Sequence, residues 1–157
     1  MRIEPLSLAV YDHQLYVIGR PRGGPTHAYR FSRIETAEAV GGTFPYPDKD
    51  SYDPERVFAD SFGIIVDDKY PIEQIEMSLA PRWASFVRSH RWHRSQESFV
   101  RSGRVHVRLR VRVCPELVSW ILGFGPDARV IGPPRLKRHI GRLAQRMART
   151  HHADGAS

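Results

Sequence analysis

Cysteine is almost missing from this 157-residue chain: Cys114 stands alone, which excludes an internal disulfide and a zinc site built on cysteines. No apolar run approaches the roughly 18 residues that a membrane-spanning helix requires. The opening stretch MRIEPLSLAVYD carries Glu4 and Asp12 where a signal peptide would have an unbroken apolar core. These absences predict a cytoplasmic protein with no membrane partner. Catalytic signatures are equally scarce. RPRGGP lacks the Gly-Lys-Ser/Thr of a phosphate loop, no Gly-x-Ser-x-Gly elbow occurs, and Asp67-Asp68-Lys69 reads as a hairpin turn. His90 and His93 have no carboxylate or cysteine beside them to complete a tetrahedral metal set. The expectation is therefore a binding protein that is not an enzyme and holds no metal or cofactor.

Lysine is rare as well, present only at Lys49, Lys69 and Lys137, so the positive charge is carried by arginine. It is unevenly spread. Residues 1–80 hold 8 Lys and Arg against 13 Asp and Glu, net −5, whereas residues 81–157 hold 16 against 4, net +12, which together give the chain's +7. Such asymmetry points to a polyanionic partner for the second half, although a bias to arginine also fits a GC-rich genome. With 41% hydrophobic residues the chain can build two small domains with separate cores.

Periodicity of two predicts short strands at PLSLAVYD, QLYVIGR, HAYRFS and IETAEAV, the last closed by Gly41 and Gly42. The turn DHQ and the loop PRGGPT separate them. So few short strands cannot bury a flat sheet, which predicts a small, strongly bent barrel over residues 1–44. PYPDKDSYDPERV, with Pro45, Pro47 and Pro54 alternating with acids, reads as a linker, and residues 45–70 are assigned to it with a short helical turn near PERVFADSFG. Residues 71–150 then follow one grammar. Strand IEQIEMSLA leads to helix PRWASFVRSHR; SQESFVRSG and RVHVRLRVRV form a hairpin turning at Ser102 and Gly103; helix PELVSWILGFG leads to strand ARVIG. That βαββαβ order predicts a ferredoxin-like domain. Pro81, Pro115 and Pro134 each open a helix, the third running to about Thr150. The tail 151–157 is expected to be disordered.

RIEPLSLAVYDHQLYVIG followed by YRFSRIE resembles the WYL domain of bacterial transcriptional regulators, through Arg2, Pro5, Leu6, Tyr16, Arg30, Phe31, Arg33 and Ile34. Leu15 and Val17 replace the usual Trp and Leu of that family's triplet, leaving Tyr16. RWHRSQESFVRSG, PELVSWILGFG and ARVIGPPRLKRHI stand in the order of the WCX extension that usually follows this domain. The resemblance spans residues 2–149. It implies an α+β protein with an Sm-like or SH3-like barrel and then a ferredoxin-like domain, binding a nucleic-acid-derived or nucleotide ligand and switching a homodimeric regulator. The winged helix-turn-helix that such regulators carry ahead of the barrel has no counterpart before Arg2, so duplex DNA is expected to be read only through a segment outside this sequence.

Arg30 and Arg33 are three apart, so on a regular strand only one of them joins Tyr16. Arg30 is taken as the ligand contact, since a guanidinium fork grips phosphate while Tyr16 or Tyr29 stacks a base. The competing reading pairs Arg30 with Glu35 and leaves Tyr16 in the core. The candidate ligand set is Tyr16, Arg20, Tyr29, Arg30 and Arg33, joined by His93, Arg94 and Gln96 from the corner SHRWHRSQ, where Trp92 is core. In RVHVRLRVRV the alternation turns Val105, Val107, Leu109, Val111 and Val113 inward. It places Arg104, His106, Arg108, Arg110 and Arg112 on the other face, beside Gln74, Glu76 and Ser78. That basic row reads equally as a solvated sheet face or as a track for single-stranded DNA or RNA. In the last helix Leu136, Ile140, Leu143 and Met147 form an apolar stripe that packs on the domain or on a second subunit.

Overall fold

The computed structural model describes residues 1–153 and divides the chain into two units, with the boundary after Pro71. In the first unit β1 (Glu4–Tyr11), β2 (Gln14–Arg20) and β3 (His27–Arg30) form an antiparallel sheet in the order β1-β2-β3. Asp12 and His13 both adopt left-handed backbone, φ 47° and 58°, the conformation that a two-residue hairpin needs to match strand twist. Gly19 in β2 sits where an added Cβ would lie 2.9 Å from the Glu4 carbonyl oxygen, so the close pairing beside the irregularity at Pro5–Ser7 requires glycine.

The ladder stops at Arg30. Phe31–Arg33 turn into a 3-10 helix, and residues 34–40 are exposed and form no strand. The barrel expected over 1–44 is therefore not closed. The reason lies in IETAEAV itself, where Thr36 and Glu38 interrupt Ile34 and Val40 on the one face that could have been buried.

A three-stranded sheet depends on its hydrophobic face being covered, and the segment expected to be a linker completes the core. Leu6, Tyr16 and Ile18 from the sheet pack with Tyr52 and Ile64, flanked by half-buried Phe44, Val57, Phe58 and Ile65. Polar bonds fix this irregular chain. The Tyr46 hydroxyl donates to the Leu6 carbonyl at 2.8 Å, the Tyr52 hydroxyl meets Ser7 Oγ, and Ser61 Oγ donates to the Ile65 carbonyl at 2.9 Å. Asp67 closes the segment: its carboxylate accepts the Lys69 N–H at 3.0 Å and lies 3.6 Å from His27 Nδ1 on β3. Asp67-Asp68-Lys69 is a turn, as expected, but it leads into the next unit instead of joining a hairpin.

The second unit runs β4 (Ile72–Leu79), a 3-10 turn at Pro81–Trp83, α1 (Ala84–Ser89), β5 (Glu97–Arg101), β6 (Arg104–Arg112), α2 (Pro115–Gly123), β7 (Arg129–Gly132) and α3 (Pro134–Ala153). All strand pairs are antiparallel and the order is β5-β6-β4-β7. Ser102 and Gly103, φ 52° and 72°, turn the β5–β6 hairpin. Ile75, Met77 and Leu79 of β4 and Val105, Val107, Leu109 and Val111 of β6 bury one face of the sheet, and Leu117, Ile121 and Leu136 join this core. The apolar stripe of α3 fades outward: Leu136 is buried, Ile140 and Leu143 are half-buried, and Met147 is 49% exposed. Residues 151–153, expected in the disordered tail, continue the helix; residues 154–157 of that expectation lie outside the described residues.

If the 45–71 segment is part of the first core, Tyr52→Ala lowers unfolding stability by about 3–5 kcal/mol, the usual cost of truncating a buried aromatic. Tyr52→Phe, which keeps the ring and loses the hydroxyl bond, costs only ~1 kcal/mol. Urea denaturation of both variants checks this, since truncation within a free linker would leave the transition in place.

Candidate ligand-binding site

Tyr16 on β2 and Arg30 on β3 are direct cross-strand partners. Arg30 Nη2 and Nε lie 3.3 and 3.4 Å from the Tyr16 hydroxyl, and Cζ stands 5.8 Å from the centre of the tyrosine ring. Both bonds are long, so the guanidinium rests against Tyr16 without being saturated by it. Tyr16 is buried and Arg30 half-buried, and among the described residues no carboxylate, Glu35 included, forms an ion pair with Arg30. A half-buried positive charge without a counter-ion is suited to receive an anion.

The other candidates on this unit stand apart from that pair. Arg20 Nε is bound to Glu4 Oε2 at 3.0 Å across β1 and β2. Arg33 is exposed in the 3-10 turn. Tyr29, one residue before Arg30, points to the opposite sheet face and meets the His27 ring edge-on at 6.0 Å; burial pushes its phenol pKa up.

In the second unit the corner 90–96 is held by its own polar groups. Gln96 Oε1 accepts the Trp92 N–H at 2.9 Å, while Gln96 Nε2 donates to the His90 carbonyl at 2.8 Å. His93 is buried, with Nδ1 accepting the Ser95 N–H at 3.1 Å and lying 2.7 Å from Ser95 Oγ. Arg94 is exposed, and its carbonyl accepts from Arg91 Nη2. Trp92 is half-buried among Phe86, Trp120 and Phe124, so it packs as expected. Gln96 and His93 thus build the corner, and of the three candidates there only Arg94 turns to solvent.

The basic row of β6 is not a uniform charged face. The register places Gln74, Glu76 and Ser78 opposite Arg110, Arg108 and His106. Glu76 Oε1 meets His106 Nδ1 at 2.9 Å and its Oε2 accepts from Arg108 Nε at 2.8 Å. His106 is buried, stacked on Phe99 at 5.0 Å, and the Arg108 guanidinium stands 4.7 Å over the same ring. Arg104 is spent as a brace, donating to Ser78 Oγ and to the carbonyls of Ser78 and Asp127. Asp127 in turn accepts from Trp83 Nε1 at 2.7 Å and pairs with Arg82. Arg112 is half-buried and Arg110 exposed, its N–H bound to Ser95 Oγ at 2.8 Å.

Sequence reasoning missed Phe99 and Asp127. Phe99 was within reach, because a two-residue turn at Ser102-Gly103 pairs it with His106 by counting outward. Asp127 gave no signal, since its partners Arg82 and Arg104 are separated from it by 45 and 23 positions. Among the described residues no group of His, Cys, Asp and Glu is arranged to hold a metal ion. Cys114 is buried, which raises its thiol pKa and leaves it a poor nucleophile.

Hydrogen bonds first from Arg108 and then from His106 hold the Glu76 carboxyl below the usual carboxylate range. A carboxyl whose pKa falls on folding contributes stability above its unfolded pKa of about 4.3 and loses it as pH drops through the lower folded value. Unfolding stability should therefore fall on acidification below about pH 5, and Glu76→Gln should flatten that slope. A remainder stays with Asp127, which Trp83 and Arg82 hold low in the same way. Denaturant titrations across that range check it.

No curated protein matches the chain. Among solved structures it is similar to proteasome accessory factor B/C (PafBC) of Arthrobacter aurescens, with 23% identity over 88% of this chain, a TM-score of 0.35, and a match to only 21% of that structure's chain. The chain thus spans about a fifth of the length of that relative. Residues 71–148, which carry the whole second sheet and most of α3, match the family model of the WCX domain.

Proposed function

We propose that this chain is the ligand-sensing module of a WYL-type transcriptional regulator, with Tyr16 and Arg30 forming the contact for a nucleotide or nucleic-acid fragment. The observation that carries the proposal is the pairing of these two residues of the WYL-like motif as direct cross-strand neighbours, with Arg30 half-buried beside no described carboxylate. The WCX match at 71–148 supports it, because that extension follows a WYL domain in the family the motif resembles. We read the second unit as ferredoxin-like from its βαββαβ order and its β5-β6-β4-β7 sheet. The module acts in the cytoplasm as a homodimer, by binding and not by turnover. Its ligand switches it by favouring one of two arrangements, and duplex DNA is contacted by a helix-turn-helix elsewhere in the regulator.

A second reading, an assembly module without a ligand, draws on the outer face of the first sheet, where Leu8 and Val10 are 66% and 76% exposed. The two readings part at Arg30. In the sensor, Arg30→Ala weakens binding of a short fluorescent single-stranded oligonucleotide by about 10- to 100-fold, the worth of one charged hydrogen-bonding group. The dimer measured by light scattering stays intact and wild-type binding persists at raised salt. Binding that is absent, or that ignores Arg30→Ala, refutes the sensor and leaves the assembly module.

A further inference from the structure

The open face of the second sheet carries an arrangement that the Tyr16–Arg30 pair does not use. Phe99 on β5, His106 on β6, Ser78 on β4 and Arg129 on β7 occupy one row across all four strands. Phe99 and His106 are stacked with their planes 20° apart, and Arg108, one step along β6, lays its guanidinium over Phe99. Glu76 fixes both flanks of this column, holding His106 with one oxygen and Arg108 Nε with the other. Arg108 is 40% exposed, and its Nη groups meet no partner among the described residues. Exposed Arg101 and Arg129 lie on the same face, likewise without a described carboxylate partner. Arg101, Arg108 and Arg129 thus present three guanidinium groups on this face, while Glu76 is engaged by His106 and Arg108.

We propose that this face is a stacking platform for single-stranded nucleic acid, centred on Phe99 and Arg108. A nucleobase extends the His106–Phe99–Arg108 column, and the neighbouring phosphates meet the Arg108 Nη groups, Arg101 and Arg129. A duplex is excluded as the occupant because its base faces are already stacked. An acidic peptide would use the arginines and leave the aromatic column without a purpose. Glu76 is a positioning residue: it gives up part of the face's positive charge in return for a fixed guanidinium plane. The platform does not rest on the reading of Tyr16 and Arg30.

The test uses the full chain and fluorescent oligo-dT and oligo-U of about 12 nucleotides, within the site size of a small single-strand-binding domain. Phe99→Leu keeps apolar bulk and removes the π face, and should weaken binding about 5- to 150-fold, the effect of losing one stacked base. That loss is read in an Arg30→Ala background, where the first unit's contact is gone and the remaining binding belongs to the platform, and Phe99→Tyr should bind there as its parent does. Glu76→Ala, which removes both acceptor oxygens along with the charge, decides between a built site and diffuse charge. Removing a negative charge tightens binding if the face is only an electrostatic surface, whereas the platform loses affinity because Arg108 is no longer held. The two homopolymers separate an RNA from a DNA preference. Tighter binding by Glu76→Ala, indifference to Phe99→Leu in the Arg30→Ala background, or no binding of either oligonucleotide overturns the proposal.

Discussion

The antiparallel pairing of β4 with β6 is the constraint on which the second unit depends. Its eight-residue register fixes two faces at once. On one, Ile75, Met77 and Leu79 meet Val105, Val107, Leu109 and Val111 and are removed from water almost completely. On the other, the same alternation forces five basic residues of β6 into a row, where like charges repel. A slip of one residue would bury the arginines and expose the valines. Glu76 relieves the repulsion at the centre of the row, reaching His106 and Arg108 together, and Arg104 is drawn off to carbonyl oxygens at Ser78 and Asp127.

The first unit solves a different problem. Its sheet has three strands, too few to exclude water from both faces. Residues 45–71 take over the part a fourth strand would have played, and they do so without regular structure, by placing Tyr52 and Ile64 against Leu6, Tyr16 and Ile18. Proline and aspartate shape that path: Asp48 and Asp53 accept N–H groups from the residues that follow, forming local turns that substitute for a ladder. Burial is confined to one face, which explains why Leu8 and Val10 remain in water.

The elements whose signal is local were legible. The strict alternation of RVHVRLRVRV, the Ser102-Gly103 turn and the prolines at 81, 115 and 134 led to the βαββαβ order and to the placing of Gln74, Glu76 and Ser78 beside the basic row. Tyr16 and Arg30 were singled out by the resemblance to the WYL motif and by strand periodicity, which lets only one of Arg30 and Arg33 join Tyr16. What failed has a common cause. IETAEAV has strand periodicity but too little apolar area to reward pairing, and PYPDKDSYDPERV has linker composition but one buried tyrosine that outweighs it. Composition averages over residues, whereas packing is decided by single side chains such as Tyr52. His93 and Gln96 looked like ligand groups for a related reason, since a polar side chain that satisfies backbone in a corner reads the same in sequence as one that awaits a partner.

The fold treats its arginines in two ways. Arg20, Arg82 and Arg104 are each committed to fixed acceptors, with Glu4, Asp127 and backbone carbonyls absorbing their donors. Arg30 and Arg108 are instead oriented by one polar contact and one aromatic ring apiece, Tyr16 alone in the first case and Glu76 with Phe99 in the second. Such support costs the guanidinium its rotamer freedom before any ligand arrives while leaving donors open, so less entropy is lost on binding than a mobile arginine would lose. The two positions differ in one respect. Arg108 shares its charge with a carboxylate, so in the proposed platform stacking would be the larger part of its contribution. Arg30 has the Tyr16 hydroxyl and, among the described residues, no carboxylate beside it, which is the premise of its proposed role as the anion contact.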